Sequence, residues 1–248
     1  MRLRPADAPG AGVANRANIL GYIGSTGAGK SASLKAALRE ARHARVLIWD
    51  PQDEYGHLAG QATGAVGRLL ELVQAAGRGP FCIRFQPSSD LKTAAKQFDA
   101  FCRIAYAAGH CAVVAEELAF VTSASKAPPG WSLLNLKGRH KGLTIYGTTQ
   151  RPARVDKDFF GNCTRIRCGR LNYATDQKTM ADVIGVPVEA IGALLPLQYL
   201  EKDMATGNVV WGVVNPTGRQ APAKPWPGSN AQTPETGPPA KKKRVARA

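Results

Sequence analysis

The residues Gly24-Ser25-Thr26-Gly27-Ala28-Gly29-Lys30-Ser31 follow the spacing G-x-x-x-x-G-K-[ST]. Glycines at that spacing let the backbone curl until successive N–H groups converge on one anion. The apolar run Ile19–Ile23 precedes the loop, and a helical pattern runs from Lys30 to Arg42 behind it. The loop therefore joins a strand to a helix whose N-terminus adds a positive field. In that setting Lys30 neutralises the β- and γ-phosphates of a nucleotide such as ATP, and the Ser31 hydroxyl holds Mg²⁺. The loop alone does not separate hydrolysis, phosphoryl transfer and passive switching.

Three other runs end in polar groups. Cys111–Ala115 is apolar and stops at Glu116-Glu117. A carboxylate at such a strand end holds the water shell of Mg²⁺, and a second orients or deprotonates an attacking water. Glu116 takes the first role and Glu117 the second; the bland alternative is an acidic helix start. The run Thr144–Gly147 leads into Thr148-Thr149-Gln150-Arg151-Pro152. An amide both donates and accepts, so Gln150 suits the γ-phosphate or the attacking water, unless this is only a turn stopped by Pro152. Val46–Trp49 ends in Asp50-Pro51-Gln52-Asp53-Glu54-Tyr55-Gly56, where Asp50 and Glu54 serve equally well as turn formers or as reactive groups.

These ends need a scaffold that gathers them. Short apolar runs at Ile19–Ile23, Val46–Trp49, Phe81–Phe85, Cys111–Ala115, Leu143–Gly147 and Thr164–Cys168 alternate with helical spacing at Ala65–Ala76 and Leu91–Ala108. The alternation predicts an α/β domain with a mainly parallel sheet flanked by helices. Asp176–Ile184 and Val188–Leu194 read as short helices, and Leu197–Glu201 with Asn208–Val213 as a hairpin around Thr206-Gly207. The P-loop domain then covers 16–214, after a flexible segment 1–15. Residues 215–248 hold seven of the 17 prolines and read as a disordered basic tail.

The chain has 248 residues, 44% of them hydrophobic, which excludes wholesale disorder. It carries 33 Lys+Arg against 18 Asp+Glu, a net +15, which points to a polyanionic partner. The charge is uneven. Residues 137–170 have nine Lys/Arg against Asp156 and Asp158, and 215–248 have seven against Glu235. Val155–Phe160 reads as a loop that sets Arg154 and Lys157 on DNA phosphates, with Lys241, Lys242, Lys243 and Arg244 as a second contact. A solvated basic face is the alternative. Neither a membrane-spanning run nor a secretory leader is visible, and five scattered cysteines fit a reducing compartment.

Taken together, GSTGAGKS at 24–31, WDPQDEYG at 49–56, VVAEE at 113–117 and GRHKGLTIYGTTQRP at 138–152 resemble the HerA–FtsK superfamily of P-loop ATPases. The last segment is the most specific, an Arg-His before a strand ending in Thr-Gln-Arg-Pro. The size resembles genome-packaging ATPases of tectivirus- and corticovirus-type tailless phages. The resemblance implies a RecA-like fold and ATP hydrolysis that drives double-stranded DNA through a homohexameric ring. It further implies an arginine entering the site from the neighbouring subunit, with Arg139 the first choice and Arg151 the second. It places the protein in the host bacterial cytoplasm, at a capsid vertex protein, without direct membrane insertion. The superfamily's usual acidic pair is Asp-Glu, whereas this chain has Glu116-Glu117. A zonula-occludens-toxin-type assembly ATPase and a nucleotide-gated DNA-binding scaffold with little turnover are the alternatives.

Overall fold

The central strands are near-continuous buried runs, so each has two buried faces and must lie inside a sheet covered on both sides. The computed structural model describes residues 18–216 and 221–228. Its strands are β1 (Asn18–Ile23), β2 (Arg45–Trp49), β3 (Gln61–Thr63), β4 (Phe81–Phe85), β5 (Ala112–Ala115), β6 (Thr144–Thr149), β7 (Arg165–Gly169), β8 (Gln198–Asp203), β9 (Val209–Val213) and β10 (Lys224–Pro225). They form one sheet in the order β10-β9-β8-β7-β1-β6-β5-β2-β4-β3. From β3 to β7 all neighbours are parallel, and β7 through β10 pair antiparallel. This is the RecA-like P-loop fold, with β1 in its centre.

The two faces differ in thickness. On one, Ile19, Ile23, Leu47, Trp49, Ile83 and Val113 pack under α2 (Val66–Ala76), α3 (Leu91–Ala108), α4 (Pro129–Lys137) and α5 (Lys157–Asn162). On the other, Tyr22, Val46, Ile48, Val114 and Tyr146 pack with Leu34 of α1 (Lys30–Ala41). A run of rings through Trp49, Phe98, Trp131 and Phe159, with centroids 4.9 to 5.7 Å apart, joins sheet, α3, α4 and α5. Gly147 makes that packing possible. A Cβ there would stand 2.4 Å from Cζ of Phe159, so any larger residue would push α5 off the sheet.

Several expectations change. Val155–Phe160 is not a loop: Pro152–Arg154 is a turn of 3-10 helix, Asp156 caps α5 by accepting from the Phe159 amide at 2.9 Å, and Val155, Phe159 and Phe160 are buried. Arg154 and Lys157 do remain exposed. Short β3, α4 and α5 join the elements expected, and the hairpin is β8 and β9, its turn gathered by Asp203. Part of the expected tail is built into the sheet. Lys224–Pro225 pairs with β9, and the Trp226 amide donates to Val209 at 3.0 Å. The segment 1–15 and the run Lys241–Arg244 lie outside the described residues.

Candidate active site

The strands from β3 to β7 run the same way, so β1, β2, β5, β6 and β7 deliver their C-terminal ends to one edge. The phosphate loop leaves β1 in the middle of that edge and is suspended from both neighbours. Gly24 donates its amide to Thr149 of β6 at 3.1 Å, and Ser25 to Arg170, just after β7, at 2.9 Å. The glycine demanded at position 29 has φ +83, and Val214 packs so closely that a Cβ there would stand 3.0 Å from it. Helix α1 starts directly from Gly29 with neither a side-chain cap nor an acid in its first turn. Among the described residues, the amides of Thr26, Gly27, Gly29, Lys30 and Ser31 find no protein acceptor. Unsatisfied donors pointing out of a curled loop at a helix N-terminus are what an anionic phosphate chain fills.

Glu116 ends β5 on the Lys30 side. It is buried, and its Oε2 has no hydrogen-bond partner among the described residues, while Oε1 accepts from the Tyr55 hydroxyl at 3.4 Å. Burial raises its pKa to about 7, helped by the nearby charges of Glu54 and Asp50 and opposed by Lys30. An orphaned, desolvated carboxylate oxygen facing a lysine is a fit for a divalent cation. Ser31 and Glu116 would hold Mg²⁺ there. Asp50 proves to be a turn former: it accepts from the amides of Glu54 at 2.9 Å and Tyr55 at 3.0 Å and pairs with Arg84. Glu54 enters by its main chain, whose carbonyl accepts from Lys35.

Glu117 is the opposite case. Its backbone is left-handed, at φ 50, which strains a residue other than glycine. The twist turns its carboxylate towards β6, where it accepts from the Thr149 hydroxyl at 3.0 Å and the Gln150 amide at 3.1 Å. Its own amide donates to the Thr148 hydroxyl at 3.1 Å. The Gln150 side chain reaches the phosphate loop, its Oε1 accepting from Thr26 at 3.1 Å. Glu117, Gln150 and Thr26 thus form one hydrogen-bonded chain from β5 across β6 to the loop.

The two arginines part company. Arg151 follows Gln150, but its Nε donates to buried Asp176 at 2.7 Å and its guanidinium stacks 3.9 Å over Tyr173. It is committed to bracing the turn of its own subunit. Arg139 is exposed and precedes the N-terminal end of β6, the end opposite the one that flanks the phosphate loop. It does not reach the loop of its own chain. Sequence reasoning left Tyr55 and Thr149 without roles although both stand inside the quoted motifs, and it missed Asp176, whose partner lies 25 positions away. Among the described residues no helix is long and apolar enough to cross a membrane.

No protein-family profile matches the sequence. It is 32% identical over 192 residues to Protein P9 of Pseudoalteromonas phage PM2, covering 73% of this chain and 84% of that protein. Its structure resembles the genome packaging NTPase B204 of Sulfolobus turreted icosahedral virus 2. The sulfate complex superposes with a TM-score of 0.62 at 15% identity, over 79% of this chain and 95% of that one. The AMPPCP complex gives 0.59 at 15% identity, over 79% and 96%. At that identity the likeness establishes the fold.

Proposed function

The chain belongs to the family of Protein P9 of phage PM2, a HerA–FtsK-like group of P-loop ATPases, and on that premise we propose that it is an ATP-driven double-stranded DNA translocase, the motor that packages a viral genome. One observation carries the reading most: the hydrogen-bonded chain from Glu117 through Gln150 to Thr26 links a buried carboxylate to the lip of the phosphate loop. A passive nucleotide switch has no need of a strained glutamate there.

In this reading the free amides of the loop and Lys30 bind the phosphates of ATP. Ser31 and Glu116 hold Mg²⁺, which supplies charge neutralisation on the phosphate oxygens. Glu117 keeps acceptor capacity on Oε2 and aligns the attacking water, and Gln150 senses the γ-phosphate. Arg139 acts in trans. Its distance from its own loop supports this, because a ring of subunits brings one molecule's edge to its neighbour's. Sequence-independent contacts from Arg154 and Lys157 to DNA phosphates suit a motor that must move along any sequence. The assembly would be a homohexamer acting in the host cytoplasm at a capsid vertex.

The test is ATP hydrolysis with and without double-stranded DNA over a series of salt concentrations. Stimulation that weakens steeply with salt, and disappears in Lys30→Ala, is the expected result. Tight ATP binding without turnover, DNA present or not, would instead favour a nucleotide-gated scaffold.

A further inference from the structure

The arginines on the strand ends around the nucleotide edge are nearly all engaged with carboxylates. Arg84 pairs with Asp50 and Asp53, Arg151 with Asp176, and Arg167 with Glu201. Arg170 differs. It is exposed, and among the described residues its guanidinium meets only a neutral group, Oδ1 of Asn172 at 3.2 Å.

Its backbone, by contrast, is fixed to the phosphate loop. The Arg170 carbonyl accepts from the Ser25 amide at 2.9 Å and again from the Ser25 hydroxyl at 3.0 Å. The next residue, Leu171, is buried, and its carbonyl accepts from Nε2 of Gln177 at 2.8 Å. The stretch is therefore pinned to the loop on one side and to the helix Ala174–Ile184 on the other. The backbone beneath this cation is thus ordered before any anion arrives, and only side-chain freedom is lost on contact. The charge balance asks for one: Lys30 and a divalent ion leave part of a triphosphate's charge uncompensated, and Glu116 and Glu117 add to it.

We infer that Arg170 donates hydrogen bonds to the phosphates of the nucleotide bound in the same subunit. The inference rests on the ATPase reading and adds a phosphate-contacting residue to it. The cis assignment follows from the mounting: the two bonds that fix Arg170 come from the loop that holds the phosphates. Its backbone therefore stays with the loop whatever the neighbouring subunit does.

The experiment is a titration of full-length protein with a fluorescent non-hydrolysable ATP analogue and Mg²⁺. Arg170→Ala is expected to weaken binding by about 10-fold or more, the size of a lost hydrogen bond to a charged group. Arg170→Lys should fall between, since it keeps the charge but loses the fork. Arg68→Ala, which removes an exposed charge from α2, should bind as the unaltered chain does. Arg170→Gln keeps the stem and gives the same reading if the alanine variant loses stability. Analogue affinity unchanged in both Arg170→Ala and Arg170→Gln overturns the inference, even if turnover falls. Lys30→Ala separates the two levels: if it too binds the analogue normally, the ATPase reading itself fails.

Discussion

The ends of β2 and β5 and the ends of β6 and β7 meet around the same loop, yet they are built on opposite terms. On the first side Glu116 is buried with one oxygen unpartnered and its pKa pushed up to about 7. On the second, Glu117, whose carboxylate turns away from β5 to β6, joins Thr149, Gln150, Arg151 and Asp176 in bonds of 2.7 to 3.1 Å. The first side stores an unmet demand for positive charge. The second fixes geometry before any ligand arrives. A site that must bind a metal–nucleotide and then hydrolyse it needs both, because binding draws on unsatisfied groups and catalysis on preorganised ones.

The widest break should come at Arg139, which belongs to neither side. Arg139→Ala is expected to lower kcat by about 10³-fold or more while leaving nucleotide affinity in place. Mixing it with Lys30→Ala subunits should restore part of the activity, since each supplies what the other lacks. A mixture as inactive as its components would remove the trans role. Next in size, Glu117→Gln should cost about 10²–10³-fold in kcat, with ATP-analogue affinity held, because the change falls on the preorganised side. A matching loss of affinity would show that the two sides are not separable.

Stability measurements sharpen the same contrast with opposite signs. Asp176→Ala leaves Arg151 without its buried partner and should destabilise the fold by about 3 kcal/mol in a denaturant titration. Glu116→Gln should do the reverse. A carboxyl whose folded pKa exceeds its unfolded value binds an extra proton when folded, so stability declines as pH rises from about 4.5 towards 7. Removing that charge should raise the Tm of the nucleotide-free protein at pH 8, by up to about 3 kcal/mol of stability, and change little at pH 4. Equal effects at both pH values would contradict the unmet-charge account. The smallest effect concerns the tail. Because β10 and Trp226 belong to the sheet, the informative deletion is 229–248, which should weaken DNA affinity modestly and leave basal hydrolysis unchanged.

What could be read from the sequence follows the range of each interaction. The loop, the succession of the main strands along the chain and the polar ends of β5 and β6 are local patterns, and each lies where its residues predict. Helix α4 was hidden because Pro129-Gly130 reads as a break. In the structure Pro129 occupies the first turn, where its missing amide costs nothing, and the Gly130 amide is capped by Asp99 of α3 at 2.6 Å. Helix α5 has six residues, too few to show a period, and its Phe159 packs as it does only because Gly147 lies beneath. The division of labour between Glu116 and Glu117 was also out of reach. Adjacent residues of one type differ here because a left-handed backbone at Glu117 sends their side chains to different neighbours. Val214 against Gly29 is a contact between distant positions that no local pattern announces.

The central claim is that this edge turns ATP hydrolysis into movement along DNA. Displacement of a third strand from a duplex track measures it directly. The unaltered chain with ATP and Mg²⁺ should release the third strand at a rate that follows hydrolysis, and Lys30→Ala or a non-hydrolysable analogue should release none. Vigorous DNA-stimulated hydrolysis with the third strand left in place would contradict it.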